Sequence, residues 1–513
     1  MRNNPALVLM MGLMLATPAA AQTPDAAPLN VIDWLDTQPV TPAALPALRE
    51  PAVTSSATVP EVQVAPLDGD APKRVGLAPS TVTGLPDTLW AASDGADLAR
   101  QLDQMPDLRV PALQSLFYTL LLAEGLPPSD EAAAFDLARI DALTALGALD
   151  PAMALIEQAG PDSSAAHLAR YMDLSLLAGT DARACAVLRA MPTLSPDKAH
   201  DVYCAARSGD WGTAVLQLGT GRALGLIDPD TAQAMERFLD PELFEGEPPM
   251  AVPARPDPLL FRLYQGAGMP IPTRIWPVIY ANADLSDTAG WKARIEAAER
   301  LAQQGALPEN RLLGILSDRR PAASGGVWDR VAAVQRFETA LGTASPAAIS
   351  KTLPQAWDQM RRARLAVPFA SLFADALTDV VLSGRTADIA YDMLLVSARY
   401  EEAATQFPAR ALHNPLATAV ASGTAPTGPP PGGDMARAIH AAFSDGATPD
   451  AALIARAQDG ALGAALLDAL MITQNGSAGD VAQLTTGLAT LRALGLEDTA
   501  RRTALQILGG VAG

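Results

Sequence analysis

The chain has 513 residues, 49% of them hydrophobic but only 5% aromatic, with 43 prolines, 38 glycines, 2 cysteines and 4 histidines. Its 37 basic and 56 acidic side chains leave a net charge of −19, which excludes a phosphate-neutralising nucleic-acid surface. So few Cys and His leave little for a metal centre or a Cys/His nucleophile, and a core of Ala, Leu and Val favours helices over sheets.

The first element is an address. Arg2 precedes a short apolar run, Leu7 to Ala16, and small residues at Ala19 and Ala21 complete a secretory signal over 1–21, cleaved after Ala21. The short positive start and Ala-rich cleavage site point to a bacterial periplasm. Residues 22–86 carry eleven prolines between Pro24 and Pro86 and read as a disordered leader. Within it, the apolar patch around Ile32, Trp34 and Leu35 is a candidate docking element, on the protein's own body or on a partner.

From 87 to 244 successive amphipathic helices are expected; Leu113, Leu116, Phe117, Leu120 and Leu121 keep helical spacing. A register recurs: Gly147 with Ala152 and Ile156, Gly179 with Ala184 and Leu188, Gly209 with Ala214 and Leu218. Glycine ends one helix in a left-handed conformation, the small Ala lets the next helix approach closely, and the larger residue fills the pair's core. Gly495 with Ala500 and Ala504 echoes it, and more weakly Gly384 with Ile389 and Met393. The stretch Gly209-Asp210-Trp211-Gly212-Thr213-Ala214-Val215-Leu216-Gln217-Leu218 resembles the inter-helix turn and second helix of a tetratricopeptide repeat, with the resemblance clearest over 140–224. It implies an all-α solenoid of stacked helical hairpins and a concave surface that holds peptides or proteins without catalysis.

Cys185 and Cys204 fall in neighbouring predicted helices, Asp181 to Met191 and Pro196 to Arg207, joined by a short turn. In an oxidising compartment such an isolated pair forms a structural disulfide. A proline-rich connection spans 245–258, a second helical block 259–420, a Pro/Gly linker 421–433 and a last helical block 434–508. In the second block, the Pro-rich stretch around Trp276 is expected to pack on the core as a connection. Ser324, Gly325 and Gly326 are expected to turn and cap the helix that follows.

No G-x-S-x-G, H-E-x-x-H, P-loop or G-x-G-x-x-G occurs. His167, His200, His413 and His440 lie far apart in sequence and read as surface or helix-packing residues. The chain has no Glu-Ser pair of the kind used by periplasmic lytic transglycosylases, which also carry helical domains. The expected function is therefore a non-enzymatic exported scaffold or adaptor. It would bind another envelope protein or polymer, with no cofactor, no metal, no nucleic acid and no membrane span after signal cleavage. The alternatives are a cell-wall hydrolase working through carboxylates, or an accessory subunit of a secretion, polymer-export or flagellar machine.

Overall fold

In the computed structural model the chain is described over residues 73–511. These hold twenty-two α-helices of eight or more residues. The only β-pairing among them is two isolated bridges, Ala78 with Ala123 and Asp94 with Asp130. Short polar residues start many helices: the side chains of Asp94, Ser164, Asp197, Asp210, Asp228 and Asp257 each accept a first-turn N–H. Part of the acidic excess thus serves as N-caps, satisfying donors that a helix start leaves open.

The first block comprises α1 (Gly95–Asp103), α2 (Pro111–Leu122), α3 (Ala132–Leu146), α4 (Leu149–Ala159), α5 (Ala165–Ala178), α6 (Asp181–Ala190), α7 (Lys198–Arg207), α8 (Trp211–Ala223) and α9 (Pro229–Leu239). The glycine register marks three helical hairpins, α3/α4, α5/α6 and α7/α8, and each packs on the next. Gly147, Gly179 and Gly209 have φ of 85°, 74° and 84°. Ala152, Ala184 and Ala214 have no exposed surface, and Ile156, Leu188 and Leu218 are buried beside them.

The boundary drawn at residue 86 is corrected. Residues 73–86 belong to the folded body: Leu77 N and Ala78 N donate to Leu122 O at 2.8 and 2.9 Å, and Glu124 N donates to Ala78 O at 2.9 Å. The buried Arg139 guanidinium fastens this strip, donating to Leu121 O, Val75 O and Ala123 O. The proline-free interval Lys73–Ala78 keeps its N–H groups for extended pairing, and a single helical turn, Ser80–Thr83, follows Pro79. The signal, the rest of the leader and the Ile32, Trp34 and Leu35 patch lie outside the described residues.

The second block contains α10 (Pro258–Gly266), α11 (Trp291–Gln303), α12 (Glu309–Ser317), α13 (Val327–Gly342), α14 (Pro346–Arg362), α15 (Ala366–Thr378), α16 (Gly384–Val396) and α17 (Pro415–Ser422). The third holds α18 (Asp434–Ala442), α19 (Ala451–Gln458), α20 (Leu462–Ser477), α21 (Val481–Ala493) and α22 (Glu497–Leu508). Gly495 ends α21 with φ of 86°, and Ala500 and Ala504 are fully buried, so the register recurs here too.

In an open repeat array each unit touches only its neighbours. Here the last block returns to the first: α22 packs on α2, and α20 packs on α1 and α2. Gln506 Oε1 accepts from Ala112 N at 2.8 Å, Gln474 Oε1 accepts from Arg109 N at 3.0 Å, and Gln101 Nε2 donates to Asp468 Oδ1 at 2.8 Å. Gln114 Nε2, on α2, also donates to Gln303 O at the end of α11, at 3.1 Å. The sequence of α2, PALQSLFYTLLL, contains no charge, and a helix apolar on most sides is stable only when surrounded.

Candidate functional site

A concave groove would have to run along the first helices of the hairpins, and the chain fills that side itself. Helix α10 packs on α5, and residues 278–285 pack on α3 and α5. Asn282 Nδ2 donates to Gly147 O at 2.9 Å, bridging to the first hairpin turn. Phe261, Trp276 and Tyr280 form an aromatic cluster with ring centroids 4.8–5.6 Å apart. The Trp276 stretch is thus core packing, as expected.

Cys185 on α6 and Cys204 on α7 form the disulfide, with their Cα atoms 5.1 Å apart. Close by, the fully buried Asp181 accepts from Tyr203 Oη at 3.1 Å and from Arg207 Nε at 2.7 Å. Burial and the Asp181 charge push the Tyr203 phenol up, keeping it a neutral donor.

The histidines divide by environment. His167 lies in the first turn of α5, its Nδ1 2.9 Å from Oγ of the capping Ser164, and burial holds its pKa below the ordinary value. His200 is buried, with Nδ1 2.9 Å from Asp197 Oδ1 and Nε2 without a partner. Burial opposes its protonation, but the hydrogen bond and charge of Asp197, with the charges of Asp173 and Asp257, outweigh burial and raise its pKa. Asp173 is pushed up to about 6, first by burial. His200 and Asp197 form a proton-holding pair, but no nucleophile is hydrogen-bonded to the ring. His413 and His440, distant in sequence, both line a 580 Å³ cavity under the Pro-rich loop 424–431, a placement that sequence spacing could not report.

Carboxylates held above their ordinary pKa by burial are Asp136, Asp173, Glu299, Asp392 and Asp468. None of them lines any of five cavities of 320–710 Å³. Among the described residues no three His, Cys, Asp or Glu side chains come together as a metal-ligand set, and no helix is long and apolar enough to cross a membrane. The turn before α13 is closed from within, since Gly325 N donates to Asp329 Oδ1 at 3.0 Å.

The surface feature that pattern reading missed is the outer side of α8. Ala214 and Leu218 face inward, while Trp211, Val215 and Leu216 are 49%, 60% and 71% exposed. Leu224 and Leu226 extend this apolar surface past the helix end. From Trp211 to Gly221 no residue is charged. The available signal was a helix apolar on two faces where packing needs only one.

Comparison with protein-family models, with curated proteins and with solved structures found no significant match.

Proposed function

We propose that this chain is a non-enzymatic, exported scaffold or adaptor of the bacterial envelope. In this reading its tetratricopeptide-like hairpins, clearest over 140–224, present the outer side of α8 to another protein. The observation that carries the proposal is the exposure of Trp211, Val215 and Leu216 on a helix with no charge up to Gly221, with Leu224 and Leu226 exposed beyond Arg222, which pairs with Glu236. Exposed apolar side chains grouped on one helix mark interaction sites, because leaving them in water costs free energy that a partner recovers. A partner offering an apolar helix or loop without buried charge matches it. The separation of the raised-pKa carboxylates from the cavities favours binding over hydrolysis, which needs such groups at a cleft.

The test is crosslinking in the native envelope, comparing the wild-type chain with the double variant Trp211→Glu, Leu216→Glu. Both positions are exposed, so circular dichroism and melting should be unchanged while one specific crosslinked protein disappears. If that protein persists undiminished, the α8 surface is not the docking face. If no protein is captured and cell-wall fragments are cut, the hydrolase replaces the scaffold.

A further inference from the structure

We infer that the cleft between the hairpin turns and the infolded segment 262–288 is a binding site for a short peptide with a free carboxylate. This site lies apart from the α8 surface and does not depend on it.

The cleft holds 710 Å³, within the ~300–1,000 Å³ of small-ligand sites. Two guanidinium groups line it, Arg262 and Arg311. Arg262 Nη1 donates to Gln265 Oε1 at 3.0 Å, and its Nη2 forms a long ion pair with Asp181 Oδ1 at 3.8 Å, beyond hydrogen-bond reach. Asp181 Oδ1, buried behind the cleft-lining Arg262, thus accepts no hydrogen bond, and the Nη2 edge of Arg262 donates none. Gly179 makes the placement possible: a Cβ there would lie 2.8 Å from Arg262 Nη2, so the hairpin glycine also leaves room for the arginine. Arg311 is exposed, and its side chain makes no hydrogen bond or ion pair among the described residues.

The rest of the lining selects the ligand class. Asn282 commits its amide nitrogen to Gly147 O and Ile279 O, so its Oδ1 remains an acceptor for a peptide N–H. Gln265 accepts through Oε1, which leaves its Nε2 as a donor to a peptide carbonyl. Asp150 stands on the same lining and suits an amine while opposing a bare multivalent anion. No aromatic side chain lines the cleft, so nothing there would stack on a base or a sugar ring. Two fork-shaped cations, one carboxylate and two amides match a zwitterionic peptide better than a phosphate.

The experiment titrates tetra-alanine into the full-length exported chain by calorimetry. The C-terminal amide of the same peptide and inorganic phosphate serve as comparison ligands. Arg311→Gln is the informative variant, because an exposed, unpaired side chain can be changed without disturbing the fold. Tetra-alanine should bind, and both removing its carboxylate and Arg311→Gln should weaken binding by about tenfold or more, with melting unchanged. Equal affinity for the amide, an unaffected Arg311→Gln, or no binding at millimolar peptide would overturn the proposal. So would phosphate binding as tightly with the same Arg311 dependence, since the site would then read an oxyanion alone.

Discussion

His200, buried on α7, feels the charges of Asp173 on α5 and of Asp257 at the start of α10, so its protonation bears on how those elements stay together. Asp197 bonds its Nδ1, Asp173 and Asp257 act on it by charge, and Arg170 acts on Asp173 from the same helix. The folded state raises the pKa of His200, so its contribution is full below about pH 6.5 and is lost as pH rises through the raised value. Asp173 titrates at about 6 when folded against 3.8 as its ordinary value. Its proton therefore favours the folded state at low pH, and that advantage disappears as pH rises from about 4 to 6. Both groups act in one direction, and urea denaturation should show stability falling by about 3 kcal/mol over the Asp173 window, with a further fall as His200 deprotonates. Asp173→Asn should flatten the fall between about pH 4 and 6, and His200→Gln the part above about 6.5. Profiles of the variants that overlay the wild type would show that neither group titrates as described.

At the scale of elements, each hairpin is a local solution. A left-handed glycine, a buried alanine and a large apolar residue one turn on are enough to join two helices, and all three lie within ten residues. The disulfide adds a covalent tie between α6 and α7, from one hairpin to the next. Closing a loop of about 20 residues stabilises by roughly 3 kcal/mol in the chain-entropy model. Replacing Cys185 and Cys204 together with Ala should lower unfolding stability by that order in denaturant, and a reductant should shift the wild type alike. No change in either case would mean that the thiols are unlinked in solution.

Over the described body as a whole, helix α2 shows how distant parts depend on each other. Val110, at its N-cap position, offers no side-chain acceptor. The Gln506 side chain, 394 residues away, takes the Ala112 N–H instead, and Gln474 takes the Arg109 N–H. Arg501 makes a similar long reach, donating to Val420 O and Ala421 O at the end of α17. Gln506→Ala should leave a buried N–H unpaired, costing about 1–3 kcal/mol and speeding hydrogen exchange in the first turn of α2. Unchanged exchange there would mean that closure does not rest on this bond.

The all-helical class, the hairpin turns at Gly147, Gly179 and Gly209, the pairing of Cys185 with Cys204 and the core role of Trp276 were all legible in the sequence. Each depends on residue type, on helical period or on neighbours close along the chain, and such short-range physics is written in consecutive residues. The closing of the last block onto α2, the filling of the first-helix side by residues 258–285, the placing of Arg262 and Arg311 along one cleft and the exposure of α8 were decided by the tertiary structure. Periodicity shows that a helix has an apolar face but not which element covers it, and Trp211, Val215 and Leu216 look like core residues until the packing leaves them outside.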